Sequence, residues 1–593
     1  MKKGGLDFLR VFDLVDYQLS KYPQESALNY FIDGRWKNFS TSTIKRTIDT
    51  LSCWLMEQGF QKGDCVSLVP KMGSPFWMMI DLACQQIGMV IVPIHPTSSP
   101  EEMKFILDET NVKLCVTADV TLFNKIKQVS TTSKFFHLEE NQEGFLIALH
   151  QNKVSDPFAA ELIKRKNAVS ETDTLAILYT SGTSGTPKGT MLTHQNVVSN
   201  IKSVLPLLPI NPGDKALSFL PFSHIFERTT CYSYLAYGAN IYFSQKLETL
   251  NKDFNTVRPS CCTCVPKTLE RMYEILEEQR QQKNAIKKML VRWAMKTGEQ
   301  FKSEKRKDFL FGIKLFFARF LVLNKWRHAL GGKIKFMVVG AAALRPEIGR
   351  LFSAAGVMTL SGYGMTEASP FITVNRPVPG MNNFGTVGLP VPGVEIKLDE
   401  PNENQEGEIL VKGPNIMKGY FNRPELNKEV FTADGWFRTG DVGKMVNKRF
   451  LAITDRKKDI FKTSSGIYIA PQPLERHFTS SPFISQCLVI GFNKPFVSAI
   501  LVPHWALLQT WCEESGVHWT SPQFMAHNIK VIQKMQQEVD GLNQALQNYQ
   551  RVQKFILSET DWTVEGGELT TSFKMIRSKL MEKHRRDVEK MYV

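Results

Sequence analysis

An apolar run, Leu175-Ala176-Ile177-Leu178, passes directly into Tyr179-Thr180-Ser181-Gly182-Thr183-Ser184-Gly185-Thr186-Pro187-Lys188-Gly189, and no other stretch constrains the chain as strongly. The apolar run reads as a buried strand. Residues 193–205 read as a helix capped at its start. Between the two, three glycines, three hydroxyl side chains and a lysine fall within eight positions. That composition suits phosphate binding, because glycine lets backbone N–H groups approach an oxyanion, Ser and Thr add donors, and lysine adds charge. A flexible linker is the plain alternative, but linkers seldom lie between an apolar strand and a capped helix. Spacing excludes the Walker pattern, since Lys188 follows Gly182 by six positions and is itself followed by Gly189.

The rest of the chain must supply a frame for that loop. With 593 residues and 43% hydrophobic content it can bury several cores, which predicts a large layered domain and at least one smaller one. Residues 1–170 alternate helical and strand-like patterns, and Val66-Ser67-Leu68-Val69 with Met89-Val90-Ile91-Val92-Pro93 read as strands flanking a helix. A formal net charge of +15 favours acidic partners such as nucleotides or anionic lipid surfaces. The N-terminal residues carry Asp7, Arg10 and Asp13, so they read as neither a secretory signal nor a spanning helix, and a cytoplasmic location is expected. The ten cysteines lack zinc or disulfide spacing, and Cys261-Cys262-Thr263-Cys264 reads as a buried strand.

Residues 276–330 hold fourteen Lys or Arg against five Asp or Glu, which is +9 of the total. Two long helices with a break near Gly298 are predicted, the second carrying Phe309, Phe311, Phe316, Phe317 and Phe320 among basic residues. Charges interrupt every apolar run, so the segment cannot span a bilayer. The plainer expectation is a helical insertion whose aromatic face packs on the main domain. The sharper one is a basic, aromatic surface touching anionic membrane, with Lys305, Arg306 and Lys307 contributing charge. No recognition motif accompanies the charge, so nucleic acid is not an expected partner.

Further along, Lys335-Phe336-Met337-Val338-Val339 opens into the small-residue turn Gly340-Ala341-Ala342-Ala343, which would let a flat ring approach backbone. Taken together, YTSGTSGTPKGTMLTH, LPFSHIFER, GYGMTE, GWFRTGD, DRKKD and the closing GELTTSFKMIR resemble, in that order, the motifs of the adenylate-forming (AMP-binding) superfamily, in its long-chain fatty acid–CoA ligase branch. The resemblance implies an α/β fold with a large N-terminal adenylate-forming domain, residues 1–454, and a small mobile α+β domain, residues 455–593, hinged at 455–459. It implies activation of a long-chain fatty acid by ATP with Mg²⁺, then transfer to CoA. Relatives that load a carrier protein, or that bind lipid without catalysis, share parts of this pattern.

Roles carry over by motif. Thr180, Ser181, Gly182, Thr183, Ser184, Gly185 and Lys188 would hold the β- and γ-phosphates. His224 would border the acyl and thiol sites. Gly340 and Ala341 would lie along adenine. In Gly362-Tyr363-Gly364, Tyr363 would stack on adenine, after which Thr366 would bind phosphate and Glu367 would hold Mg²⁺. Asp441 and Arg456 would contact the ribose, Lys458 would absorb the hinge rotation, and Lys462 with Gly466 would line the pantetheine channel. Lys574 would enter the site for adenylation. Peripheral contact with the inner face of a membrane is expected of the protein as a whole.

Overall fold

The computed structural model describes residues 6–130, 134–138, 156–181, 187–278, 285–303, 309–564, 566–570 and 574–592. The chain divides into two compact units. The first comprises Met1–Ile396, Val411–Phe437 and Val446–Ala452; the second comprises Lys397–Leu410, Arg438–Met445 and Ile453–Val593.

Two large sheets dominate the first unit. One runs Gly419–Tyr420, Pro187–Thr193, Thr174–Ser181, Val90–Pro93, Cys65–Val69, Leu114–Thr117, Lys134–His137. Its inner strands pair in parallel, Val66 opposite Ile91 and Leu114, and read as continuous apolar runs because both faces are covered. Between two of them the helix Pro75–Gln86 starts on Ser74, whose hydroxyl accepts from the Trp77 amide, with proline at the position that needs no donor. Every residue of that helix except Phe76 is buried. The other sheet has the order Leu389–Pro390, Phe371–Val374, Met358–Gly364, Phe336–Val339, Cys261–Cys264, Lys215–Ser218, Asn240–Phe243, Leu28–Ile32, Arg35–Phe39. Cys261 to Cys264 form a fully buried strand of free thiols, as their apolar surroundings predict.

The basic segment meets one expectation and departs from another. The helix Ala285–Glu299 ends one residue after Gly298, where the break was expected, and an added Cβ at Gly298 would come within 2.8 Å of Leu351. The helix Phe309–Ala318 continues through a π turn, Arg319–Leu323, into Asn324–Ala329. Its inner face is Leu315, Ala318, Val322, Leu323 and Trp326, buried in the core with Phe352 and Leu351. Most of the aromatic side chains lie on the opposite face and point outward. Phe309 is 78% exposed, Phe316 64% and Phe320 70%, whereas Phe311 packs partly on the core. Lys305, Arg306 and Lys307 lie outside the described residues.

In the second unit, strands Ile484–Ile490, Val497–Pro503 and Val552–Leu557 form a sheet with one antiparallel and one parallel pairing. Helices Pro471–Phe478 and Ile529–Asn543 cover it through Leu474, Phe478, Val531, Met535 and Val539, which share one core with Val489 and Leu501. Alternating runs of two secondary-structure periods give this α+β layer.

Candidate functional site

The stretch singled out by composition is flanked by two paired strands. Strand Thr174–Ser181 pairs antiparallel with Pro187–Thr193, setting Tyr179 opposite Gly189, Thr180 opposite Lys188 and Ser181 opposite Pro187. Gly182, Thr183, Ser184 and Gly185 lie outside the described residues. Lys188 is therefore a strand residue held in register, where the sequence suggested a loop lysine. Gly189 permits the pairing, since a Cβ there would meet Ile177 at 2.7 Å and the Tyr179 ring at 3.0 Å. The hairpin is anchored near its Ser181–Pro187 pair: the Tyr179 hydroxyl donates to Glu109 at 2.6 Å, and Arg423 pairs with the same carboxylate at 2.6 Å. Burial and the neighbouring Glu109 push the Tyr179 phenol well above its usual range, so it remains a donor.

Glu367 meets this hairpin through a residue the motifs did not single out. Strand Gly419–Tyr420 adds to the hairpin edge with Tyr420 opposite Thr190, and the Tyr420 hydroxyl donates to Glu367 at 2.7 Å. The Lys188 ammonium lies 5.7 Å from the Tyr420 ring centroid. Tyr420 thus bridges the lysine and the carboxylate, and burial with the Glu367 charge raises its pKa strongly. The carboxylate is buried, 6% exposed, and its turn is tied down by the Met417 amide, which donates to the Glu367 carbonyl at 2.9 Å. Asn415 donates to the carbonyls of Ala368 and Phe371 at 3.0 and 3.1 Å. A signal for Tyr420 existed in Gly419-Tyr420 within the run Met417-Lys418-Gly419-Tyr420, but its partner lies 53 positions away, beyond any local pattern.

The segment before Glu367 is built on close backbone approaches. Strand Met358–Gly364 carries Gly362 and Tyr363 against Val374 and Thr373 of Phe371–Val374. A Cβ on Gly364 would fall 1.9 Å from the Pro370 carbonyl oxygen, so only glycine fits. Thr366 opens the short helical turn that holds Glu367. At the end of Phe336–Val339, Gly340 faces the Phe226 ring, which a Cβ would approach to 3.0 Å. Ala341 adopts φ of 70°, a left-handed conformation that costs an alanine about 1 kcal/mol and marks a backbone shaped for something other than packing. Phe226 in turn stacks edge-on with Phe371 at 5.5 Å, which links the turn at Gly340 to the strand after Glu367.

His224 stands at the N-cap of helix Ile225–Ala236, its ring 5.2 Å from that of His95. Burial first, then the neighbouring His224, lowers the His95 pKa to about 3, so His95 is neutral beside it. Two later residues of LPFSHIFER face the core. Arg228, 1% exposed, pairs with Asp81 at 2.5 Å and is held by the Tyr232 hydroxyl at 2.9 Å, joining this helix to Pro75–Gln86. Glu227 accepts from Ser218 at 2.5 Å and Thr263 at 2.7 Å, and burial raises its pKa to about 7. These two side chains are structural, and they fix the helix start on which His224 sits.

The second unit holds the other predicted residues. Asp441 lies within strand Phe437–Val446, after Gly440 at φ of 70°, and pairs with Arg456 at 3.6 Å, so it is a strand residue rather than a turn residue. Lys458 follows Lys457, whose amide donates to the Gly440 carbonyl at 2.9 Å. Lys462 and Gly466 belong to one short hairpin, Phe461–Lys462 paired with Tyr468–Ile469, in which the Lys462 ammonium is 5.0 Å from the Tyr468 ring centroid. The Thr463 amide donates to the Ile467 carbonyl at 2.9 Å, and Gly466 takes φ of 85°. Lys574 closes a turn: the Thr570 amide donates to its carbonyl at 2.7 Å, and its own amide donates to the Thr570 hydroxyl at 3.0 Å.

The profile described as AMP-binding enzyme matches residues 15–421, and that described as AMP-binding enzyme C-terminal domain matches residues 458–593. The peroxisomal long chain acyl-CoA synthetase 7 of Arabidopsis thaliana is 30% identical, with 94% of this chain and 81% of the relative covered. Long-chain-fatty-acid–CoA ligase 6 of Mus musculus is 31% identical over 88% of this chain and 77% of its own. Among solved structures, the adenylation domain of a Mycobacterium chelonae carboxylate reductase superposes with a TM-score of 0.74 at 22% identity, covering 99% of this chain and 92% of that one. O-succinylbenzoate coenzyme A synthetase of Bacillus subtilis, solved with ATP and magnesium ion, gives 0.68 at 19% identity over 96% and 98%. With the profile covering most of its length and relatives of 30% identity or more aligned over most of both chains, the chain belongs to the AMP-binding enzyme family, in the long-chain acyl-CoA synthetase branch.

Proposed function

We propose that the protein activates a long-chain fatty acid with ATP and passes the acyl group to CoA. A fatty carboxylate oxygen bonds to the α-phosphorus as the bond to the bridging oxygen breaks, giving acyl-adenylate and pyrophosphate. The CoA thiol then loses its proton, its sulfur bonds to the acyl carbon, and AMP leaves. Both steps load phosphate oxygens with negative charge, so cations held in place beforehand carry most of the catalysis. Lys188 and the glycine-rich stretch, with Thr180, Ser181 and Thr183, would take the β- and γ-phosphates. Tyr363, Gly340 and Ala341 would take adenine, Asp441 and Arg456 the ribose, and Lys574 would meet the charge at the α-phosphate. His224 would border the acyl carbon, while Lys458 would turn the second body and bring Lys462 and Gly466 to the pantetheine arm.

The observation that carries this reading is the Lys188–Tyr420–Glu367 cluster beside the two strands that flank the glycine-rich stretch. It also fits Mg²⁺. Among the described residues no group of three or more His, Cys, Asp or Glu gathers around one point. A single carboxylate, with phosphate and water oxygens completing the shell, is the usual protein share for this cation. Glu367 would hold it, and when bound it would neutralise phosphate charge. The matched profiles, split between 421 and 458, support reading residues 1–454 and 455–593 as two bodies hinged at 455–459. The test is pyrophosphate release with fatty acids of graded length, with and without CoA. Release that rises with chain length, with thioester only when CoA is added, is expected; release independent of any fatty acid overturns the reading.

We also propose that the enzyme works in the cytoplasm, in peripheral contact with anionic membrane. All ten cysteines are free thiols, which suits a reducing compartment. None of the described helices is long and apolar enough to cross a membrane. Helix Phe309–Ala318 nonetheless exposes Phe309, Leu310, Phe316 and Phe317 beside Lys314, and the preceding helix exposes Met289 beside Lys287 and Lys288. Each phenyl inserted among lipid tails contributes about 2 kcal/mol and each lysine near anionic headgroups about 1 kcal/mol. Flotation with anionic vesicles should fall when Phe316 and Phe320 become Ser and Lys314 becomes Gln; undiminished flotation overturns this contact.

A further inference from the structure

The chain passes from the first unit into the second for the last time at Ile453 and stays there to its end. The segment just inside that crossing, residues 455–459, and the segment after Lys574 meet at one guanidinium. Arg577 opens the helix Arg577–Lys583, three positions after Lys574. One terminal nitrogen forks to both oxygens of Glu475, donating at 2.6 and 2.7 Å, which pins that end of the group. Its other terminal nitrogen donates to the Val489 carbonyl at 3.3 Å, and its Nε lies 3.6 Å from Asp459. Glu475 also accepts from the Val489 amide at 2.9 Å, so the fork is held by the central sheet. Asp455, fully buried, accepts from the Arg456 amide at 2.6 Å and from the Gln472 amide at 3.1 Å, and its charge faces Arg577. The Gln472 side chain reaches Asp459 at 3.4 Å.

Three carboxylates therefore gather around one cation, two from residues 455–459 and one from helix Pro471–Phe478. Packing alone does not require this, because the segment around Lys574 has apolar anchors of its own. Leu569 and Met575 bridge one another and join a cluster with Leu488, Ile500 and Leu580. The Ile576 amide donates to the Glu568 carbonyl at 2.8 Å. These contacts close the turn without setting its direction. The forked guanidinium, next in the chain after Ile576, sets it.

We propose that Arg577 is a positioning residue for adenylation, orienting the Lys574 turn against residues 455–459 so that the lysine travels with the connecting segment as one body. The proposal rests on the assignment of Lys574 to the adenylation step. Arg577 itself touches neither substrate nor nucleotide. It acts through Lys574, and the two substitutions must therefore fail to add.

The experiment is a double-mutant cycle on the full-length enzyme, with isotopic pyrophosphate exchange for adenylation and thioester formation from supplied acyl-adenylate for the second step. Arg577→Ala is expected to lower exchange about 100-fold, the usual penalty of misplacing a reacting group by an ångström, with thioester formation nearly unchanged. Arg577→Lys should recover part of the loss, since a lysine reaches Glu475 without the fork. In a Lys574→Ala background, Arg577→Ala should cost nothing more. Losses that multiply, or an equal fall in both half-reactions for Arg577→Ala and Arg577→Lys alike, overturn the proposal. Full exchange in Lys574→Ala alone instead overturns the assignment of the lysine, a separate outcome.

Discussion

The two lysines expected at the phosphates are mounted in opposite ways. Lys188 sits in a paired strand, opposite Thr180, with Tyr420 beside it and Glu367 one hydrogen bond further on. Its place is set by a sheet whose inner strands are buried on both faces. Lys574 sits at the end of a short turn closed by two hydrogen bonds to Thr570 and steered by an ionic fork. A strand fixes its residue to a frame, whereas a turn on a separate compact unit can carry its residue elsewhere. The difference suits a reaction in which pyrophosphate is held throughout the first step while the second step needs the α-phosphate side cleared for a thiol.

The strongest way to break this contrast is Lys574→Ala. Removing one preplaced donor from a developing charge costs about 100- to 1000-fold, so pyrophosphate release should collapse by that amount. Thioester formation from supplied acyl-adenylate should persist, since that step does not need the turn in place. A matched loss in both half-reactions would make Lys574 as fixed a fixture as Lys188 and remove the contrast.

A smaller effect is expected at the fixed end. Tyr420→Phe deletes the hydroxyl that donates to Glu367 and leaves the ring under Lys188. A hydrogen bond to a charged group contributes about 1.5 kcal/mol or more, so KM for MgATP should rise about tenfold while thioester formation from acyl-adenylate is untouched. An unchanged KM with a lowered melting temperature would make Tyr420 a packing residue only.

Much of this was legible in the chain, for physical reasons that differ by residue. Strand Val90–Pro93, helix His194–Val204 with its Thr193 capping box, and the buried Cys261–Cys264 strand follow from local patterns of apolarity and caps. At Gly340 a flat ring was expected against the backbone, and the fold itself sets the Phe226 ring there; the close approach of Pro370 to Gly364 was not anticipated, because distant pairing sets it. Tyr420 and Arg577 were not singled out because their partners, Glu367 and Glu475, lie far away in the chain. Of the two expectations for the basic segment, packing of its aromatic face on the main domain fails at Phe309, Phe316 and Phe320, because aromatic content alone does not tell which face of a helix meets the core. Lys188 looked like a loop residue, since composition describes the glycine-rich stretch better than the register of the strands beside it.

The smallest effect concerns how rigid the fixed frame is, and Glu227 probes it. Its carboxyl is fully buried between Ser218 and Thr263, with a pKa raised by burial to about 7. Between the ordinary glutamate value and about 7 the folded protein keeps this proton while the unfolded chain releases it, so stability falls as pH rises through that window. His95 and His194, both lowered to about 3 by burial, act in the opposite sense, because the unfolded chain takes up protons below its own histidine pKa. Those two contributions are common to wild type and Glu227→Gln, and cancel in the difference between them. Glutamine cannot ionise, and the facing hydroxyls can rotate to serve its amide. The melting temperature of Glu227→Gln relative to wild type should therefore climb by about 2–4 °C from pH 5 to pH 7.5 and then level off. A difference flat across that range would mean that Glu227 ionises freely, and that the frame around His224 and the hairpin admits water where the contrast with the Lys574 turn requires it to be closed.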